Sequence, residues 1–244
     1  TLQTLERIPE RSDLYTQARE KHVQYQGLLA NAERKLTGTT AHFFDPILVP
    51  TLQQTGINPN QIHITLCQLD VVTPQPSVVA VSNTIDPHLC RHHQGDAQLA
   101  SPASLIKMPI AVALIDKVTD EEIDLETKIY IDSSNFTENA EGASIDIDQE
   151  YTLAQVVNRM IDQSNNIATN QLIDYIGRER IAQTLAERGY AHTVVDHKLA
   201  GDRILPPNPG TQSNQITSDD LTAMMVEIYS LKNPGDEELL KALI

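Results

Sequence analysis

Three features of the sequence predict an α+β fold. Ile62-His63-Ile64-Thr65-Leu66-Cys67-Gln68-Leu69-Asp70 alternates apolar and polar residues with β-branched enrichment, the period of a half-buried strand. Pro74-Gln75-Pro76 marks a turn, and Ser77-Val78-Val79-Ala80-Val81 can return antiparallel as the second arm of a hairpin spanning about 62–83. From residue 104 onward the apolar residues recur at helical spacing, giving a helical lobe over about 104–231.

Taken in order, residues 1–36 are polar and helix-favouring, with Leu14, Val23, Leu28 and Leu29 among charges, and read as one or two amphipathic helices. Pro46, Pro50, Gly56 and Pro59 are expected to break regular structure over 43–60. This divides the chain into an N-terminal helical extension, 1–60, and a main domain, 61–244. Residues 84–103 read as loop. Ile106, Ile110, Leu114 and Val118 recur four apart, so 104–118 is a helix, although Pro109 deletes one of its backbone hydrogen bonds. Further helices are expected at about 153–162, 165–176, 178–188 and 218–231, with Thr217 or Ser218 capping the last. Gly177 and Gly189 suit helix C-terminal positions.

Composition narrows the function. A net charge of −15, from 33 acidic against 18 basic residues, argues against a nucleic-acid or anionic-membrane surface as the main function. No apolar stretch approaches the roughly 20 residues that span a bilayer. Cys67 and Cys90 allow one disulfide or two buried thiols, and their spacing fits no zinc pattern. His92-His93-Gln94-Gly95-Asp96 misses the spacing of a metal site, since adjacent histidines point apart on an extended chain, and reads as a solvated loop. No cofactor or metal is expected.

Ser104-Leu105-Ile106-Lys107 carries the chemistry. Residues three apart share a helix face, so the Lys107 amine can sit beside the Ser104 hydroxyl. A hydroxyl is a weak nucleophile at neutral pH, and a neighbouring unprotonated amine can take its proton. Burial and the positive end of the helix both disfavour the ammonium. Ser164-Asn165-Asn166 lies between two helical patterns, where a hydroxyl and an amide at i and i+2 can aim into one cleft. Ser164 as the N-cap of the following helix is the competing explanation. Asn135, between the two motifs, either packs within its loop or meets substrate at the cleft edge.

Ser-x-x-Lys at a helix start, followed about sixty residues later by Ser-x-Asn between helices, resembles the serine penicillin-recognising family, particularly its class A β-lactamase branch. Ser101 through Pro109 is similar to that family's nucleophile segment, Tyr151 through Asn170 to the helix and loop of its second motif, and Thr217 through Leu221 to the helix start beyond its Ω-loop. The resemblance covers about 60–240. It implies a β-lactamase/transpeptidase-like fold, an antiparallel sheet flanked by helices plus an all-helical lobe. It also implies a serine hydrolase acylated at Ser104 by a β-lactam or related amide, with a small-molecule or peptidoglycan-stem-like substrate, and secreted or periplasmic placement. Lys107 would be the base, Ser164 a proton relay to the leaving nitrogen, and Asn166 a substrate contact. The backbone N–H of Ser104 would supply one oxyanion donor.

Two departures shape the expectation. No lysine starts the family's third motif, Lys-Thr-Gly; the string Lys35-Leu36-Thr37-Gly38 lies before the first strand with an extra leucine. The C-terminal sheet strands are accordingly expected from a continuation, a second fragment or an exchanged segment. The apolar ending Leu239, Leu240, Leu243, Ile244 points the same way. No glutamate lies between Glu187 and Glu227 to activate a deacylating water. Asp196 or Asp202 offers a shorter carboxylate for orienting that water, with a structural salt bridge the alternative for Asp196. Slow deacylation would make the chain a D-alanyl-D-alanine peptidase or penicillin-binding protein, and loss of catalysis a binding or assembly protein.

Overall fold

The computed structural model describes residues 12, 14–19, 21–25, 44–67, 69, 90–138 and 144–243. Short helical stretches at 15–19 and 21–25 fall where amphipathic helices are expected. The segment expected to be irregular over 43–60 is instead largely helix α1, Asp45–Thr55. Pro46 stands in its first turn, where an N–H would have no partner, and the N–H groups of Ile47 and Leu48 bond the Phe44 carbonyl. Pro50 costs one bond within the helix. Gly56, at φ 70°, ends it by returning its N–H to Leu52.

Strand β1, Ile64–Cys67, lies within the alternating run, but its partner is β2, Cys90–His93. The expected return strand at 77–81 lies outside the described residues. The register sets Cys67 opposite Cys90, and the two form a disulfide. His92 and His93 are therefore strand residues, correcting the loop reading. His92 Nδ1 pairs with the Asp219 carboxylate. A second antiparallel pair joins β3, Lys128–Tyr130, to β4, Glu150–Thr152; at three residues each, neither shows a legible alternation.

The helical lobe is built around α2, Lys107–Asp120, preceded by a 3₁₀ turn at Ala103–Ile106. Pro109 is the third residue of α2, inside the turn whose N–H groups have no helical acceptor, so the proline is tolerated. Ile106, Ile110, Leu114 and Val118 are all buried, as are Ala111, Val112, Ala113 and Ile115. From Ile110 to Ile115 this helix is apolar on every side because five others pack on it: α3 (Leu153–Asp162), α4 (Asn166–Ile176), α5 (Arg178–Glu187), α6 (Ser218–Tyr229) and α7 (Asp236–Leu243). Each fully buried Ile or Leu contributes about 2 kcal/mol by leaving water. That burial fixes the Lys107 end of α2 in the interior.

Caps define the other boundaries. Thr152 and Gln155 form a reciprocal capping box on α3, and Thr217 Oγ1 accepts from the Asp220 N–H at the start of α6. The apolar residues near the end of the sequence belong to α7, where Leu239 is buried and Leu240 and Leu243 pack on the core. Ile244 lies outside the described residues. No described helix is long and apolar enough to cross a membrane.

Candidate active site

Ser104 lies in the 3₁₀ turn with its side chain exposed, whereas Lys107, the first residue of α2, is buried at 3 % exposure. Their spacing brings Lys107 Nζ to 3.3 Å from Ser104 Oγ. Ala103, just before the serine, has φ 45°, a left-handed conformation that costs an alanine about 1 kcal/mol. This strain lies beside the candidate nucleophile.

The second motif reaches the same point from the α3–α4 turn. Asn165, not Ser164, caps α4: its side chain accepts from the Ala168 N–H at 2.9 Å. Ser164 has φ 51°, and this left-handed turn leaves its hydroxyl 2.9 Å from Ser104 Oγ and 2.8 Å from Lys107 Nζ. The capping explanation for Ser164 is thereby replaced by a direct contact between the two motifs.

Lys107 Nζ is 2.6 Å from the Ser164 carbonyl and 3.0 Å from Asn166 Oδ1. Both oxygens can only accept, so they take two of the amine's hydrogens. The third position of the nitrogen faces the hydroxyls of Ser104 and Ser164, which can donate. A neutral amine thus keeps two hydrogen bonds and turns its lone pair toward a serine. Burial lowers the Lys107 pKa to about 8. Asn166 is oriented by the 3.2 Å bond from its Nδ2 to the Glu138 carbonyl, a contact no sequence signal reveals because its acceptor is backbone. A cavity of about 270 Å³ opens beside the three polar side chains, walled by Met108, Met160, Leu221, Met225 and Leu243 among others.

The chain has relatives of known family and fold. A family model described as the beta-lactamase enzyme family matches residues 91–244, more than half of the chain. The chain belongs to the beta-lactamase enzyme family. Among solved structures, it is similar to a beta-lactamase from Sphaerobacter thermophilus at 25% identity and TM-score 0.53, over 63% of this chain and 58% of that one. PBP-A is similar at 26% identity and TM-score 0.53, over 65% and 58% of the two chains. A variant of the last common ancestor of Gram-negative bacteria class A beta-lactamase shares the fold at 18% identity and TM-score 0.50, over 63% and 58%. The chain thus spans 58% of the length of each of these relatives. Among curated proteins nothing matches significantly.

Not every expected residue joins the site of this beta-lactamase-family chain. Asn135 is fully buried, its Nδ2 donating to Gln171 Oε1 at 3.1 Å and Asp174 Oδ2 at 3.0 Å, so the substrate-contact reading is corrected. Asp174 also accepts from the buried Lys198 at 2.7 Å. These residues tie α4 to the long loop that follows α5. Asp196 is engaged within that loop: it pairs with Arg178 and accepts from the N–H of Gln212 at 2.7 Å and from Thr211. The Gln212 N–H is the main cause holding its carboxyl below the ordinary range; burial opposes, and Thr211 and Arg178 add to the lowering. Asp202 is exposed on the same loop. Among the described residues, no hydrogen bond or ion pair joins either aspartate to Ser104, Lys107 or Ser164. Asn170 clasps the loop through reciprocal bonds with Leu199, 2.8 Å and 2.7 Å.

Proposed function

We propose that the chain is a serine acyl-transfer enzyme of the β-lactamase type, acylated at Ser104 by a β-lactam or related amide. The observation that carries this reading is Lys107 Nζ within reach of both Ser104 Oγ and Ser164 Oγ in a buried setting. Neutral Lys107 takes the proton as Ser104 Oγ attacks the acyl carbon. The C–N bond then breaks, the leaving nitrogen receives the Ser164 proton, and Lys107 restores it to Ser164. The acyl group remains as an ester on Ser104. Asn166 is proposed to hold the substrate amide and the Ser104 N–H to stabilise the oxyanion.

The commitment of Asp196 to Thr211, Gln212 and Arg178 favours slow release, the behaviour of a penicillin-binding peptidase acting on peptidoglycan-stem-like substrates. A carboxylate-binding strand from another segment would complete the pocket. The Cys67–Cys90 disulfide supports an oxidising compartment, periplasmic or secreted. Intact mass of the 244-residue chain after incubation with penicillin tests these readings. A lasting adduct supports the peptidase, a transient adduct with hydrolysed product supports the lactamase, and no adduct supports a non-catalytic binding or assembly protein. An adduct that survives in Ser104→Ala overturns the assignment of the nucleophile.

A further inference from the structure

One short segment joins the loop after α5 to the residue that orients Lys107. Thr137 Oγ1 accepts from the Gly201 N–H at 2.7 Å and donates to the Ile204 carbonyl at 2.9 Å. Next to it, Glu138 Oε2 accepts from the Ile204 N–H at 3.1 Å and the Arg203 N–H at 3.5 Å. The Glu138 carbonyl meanwhile receives Asn166 Nδ2, whose partner oxygen receives Lys107 Nζ. The fit is close on the loop side: a Cβ added to Gly201 would stand 2.2 Å from Glu138 Oε2. The ion pair between Glu138 and Arg203 is a minor contributor, because the Arg203 side chain is 85% exposed.

We propose that Glu138 is a positioning residue whose carboxylate clasps the loop at Arg203 and Ile204 while its carbonyl sets Asn166, so that the loop and the Asn166 amide keep one geometry. This rests on the acyl-transfer reading for its effect on rate, but the clasp itself does not. Charged acceptors bind N–H groups more strongly than neutral ones, so the carboxylate form holds the loop. Burial raises the Glu138 carboxyl, but the N–H groups of Glu138 itself, Ile204 and Arg203, with the Arg203 charge, outweigh it and hold the carboxyl below its ordinary range. The clasp is therefore present at neutral pH and released as acid protonates Glu138. The charged group facing that carboxylate is Arg203, which stays cationic throughout.

The clasp is read by hydrogen exchange at Arg203 and Ile204, whose N–H groups the carboxylate accepts, and the rate effect by penicillin acylation of the same variants. In Glu138→Ala, exchange at these amides corrected for intrinsic rates should rise about tenfold at pH 7, and the penicillin concentration for half-maximal acylation should rise about tenfold. The limiting acylation rate should fall by less than the half-saturation rises, since Ser104 is untouched and Lys107 keeps the Ser164 carbonyl as an acceptor. Glu138→Gln keeps an acceptor of the same shape and should restore part of the protection, without the wild type's loss of protection in acid. Gly201→Ala should open the clasp from the other side, which covers the case of a Glu138→Ala chain that does not fold. Unchanged exchange in both Glu138→Ala and Gly201→Ala overturns the clasp. A fall in limiting rate with half-saturation unchanged overturns the positioning role. If the wild type forms no adduct, the acyl-transfer reading fails, while exchange still decides the clasp.

Discussion

Lys107 Nζ lies closer to Ser164 Oγ, at 2.8 Å, than to Ser104 Oγ, at 3.3 Å. Because Ser164 Oγ is itself 2.9 Å from Ser104 Oγ, the amine has a direct and a relayed path to the nucleophile's proton. Both paths require an unprotonated amine.

The rate of adduct formation should consequently rise with pH and level off above about 8, the pKa to which burial brings Lys107. At pH 7 about one lysine in ten is then neutral, enough to support reaction. Lys107→Arg, which cannot deprotonate, should slow acylation by roughly 10³-fold. A pH-independent rate between 6 and 9, followed by intact mass, would sink the assignment of Lys107 as base.

The same burial predicts a stability signature. Lys107 has a lowered folded pKa, so between about 8 and 10.5 the unfolded chain binds more protons than the folded one. Folding stability should rise with pH across that window, as the cost of the buried ammonium is relieved. Urea unfolding at intervals from pH 7 to 10.5 should show this slope in the wild type. Its persistence in Lys107→Met would assign it elsewhere.

Ala103→Gly should raise stability by up to about 1 kcal/mol, because glycine accepts the left-handed φ of 45° at an exposed site. Acylation should be unchanged if the strain is only local. A large fall in the acylation rate would show instead that the strained backbone places Ser104.

Asp196→Ala should destabilise the chain by about 2 kcal/mol, since it leaves the N–H groups of Thr211 and Gln212 without their acceptor and removes the carboxylate beside Arg178. Asp196 has a depressed carboxyl, so its contribution is present at neutral pH and lost as acid protonates it. The lifetime of the penicillin adduct should not change. A longer lifetime in Asp196→Ala would return Asp196 to the role of orienting a water.

The sequence by itself determined what depends on local spacing. Ser104 and Lys107 are one helical turn apart, and the stripe Ile106, Ile110, Leu114, Val118 defines the buried helix that carries them; both are legible because helical period is a local property. The extents of α3, α4, α5 and α6 were legible through spacing, with Gly177 and Gly189 marking the ends of α4 and α5 and Thr217 the start of α6. Tertiary structure alone decided what depends on residues distant in sequence. Ser164 meets Lys107 across 57 positions only because α2 is packed against the α3–α4 pair, and its left-handed turn left no compositional mark. Packing also buried Asn135 against Gln171 and Asp174, turned Asp196 into a loop brace, and set Cys90 opposite Cys67 on β1. A side chain's type says which bonds it can make. Which of those bonds forms is decided by which groups the packed core brings within 3 Å, and pairings between residues distant in sequence leave no periodic trace in the chain.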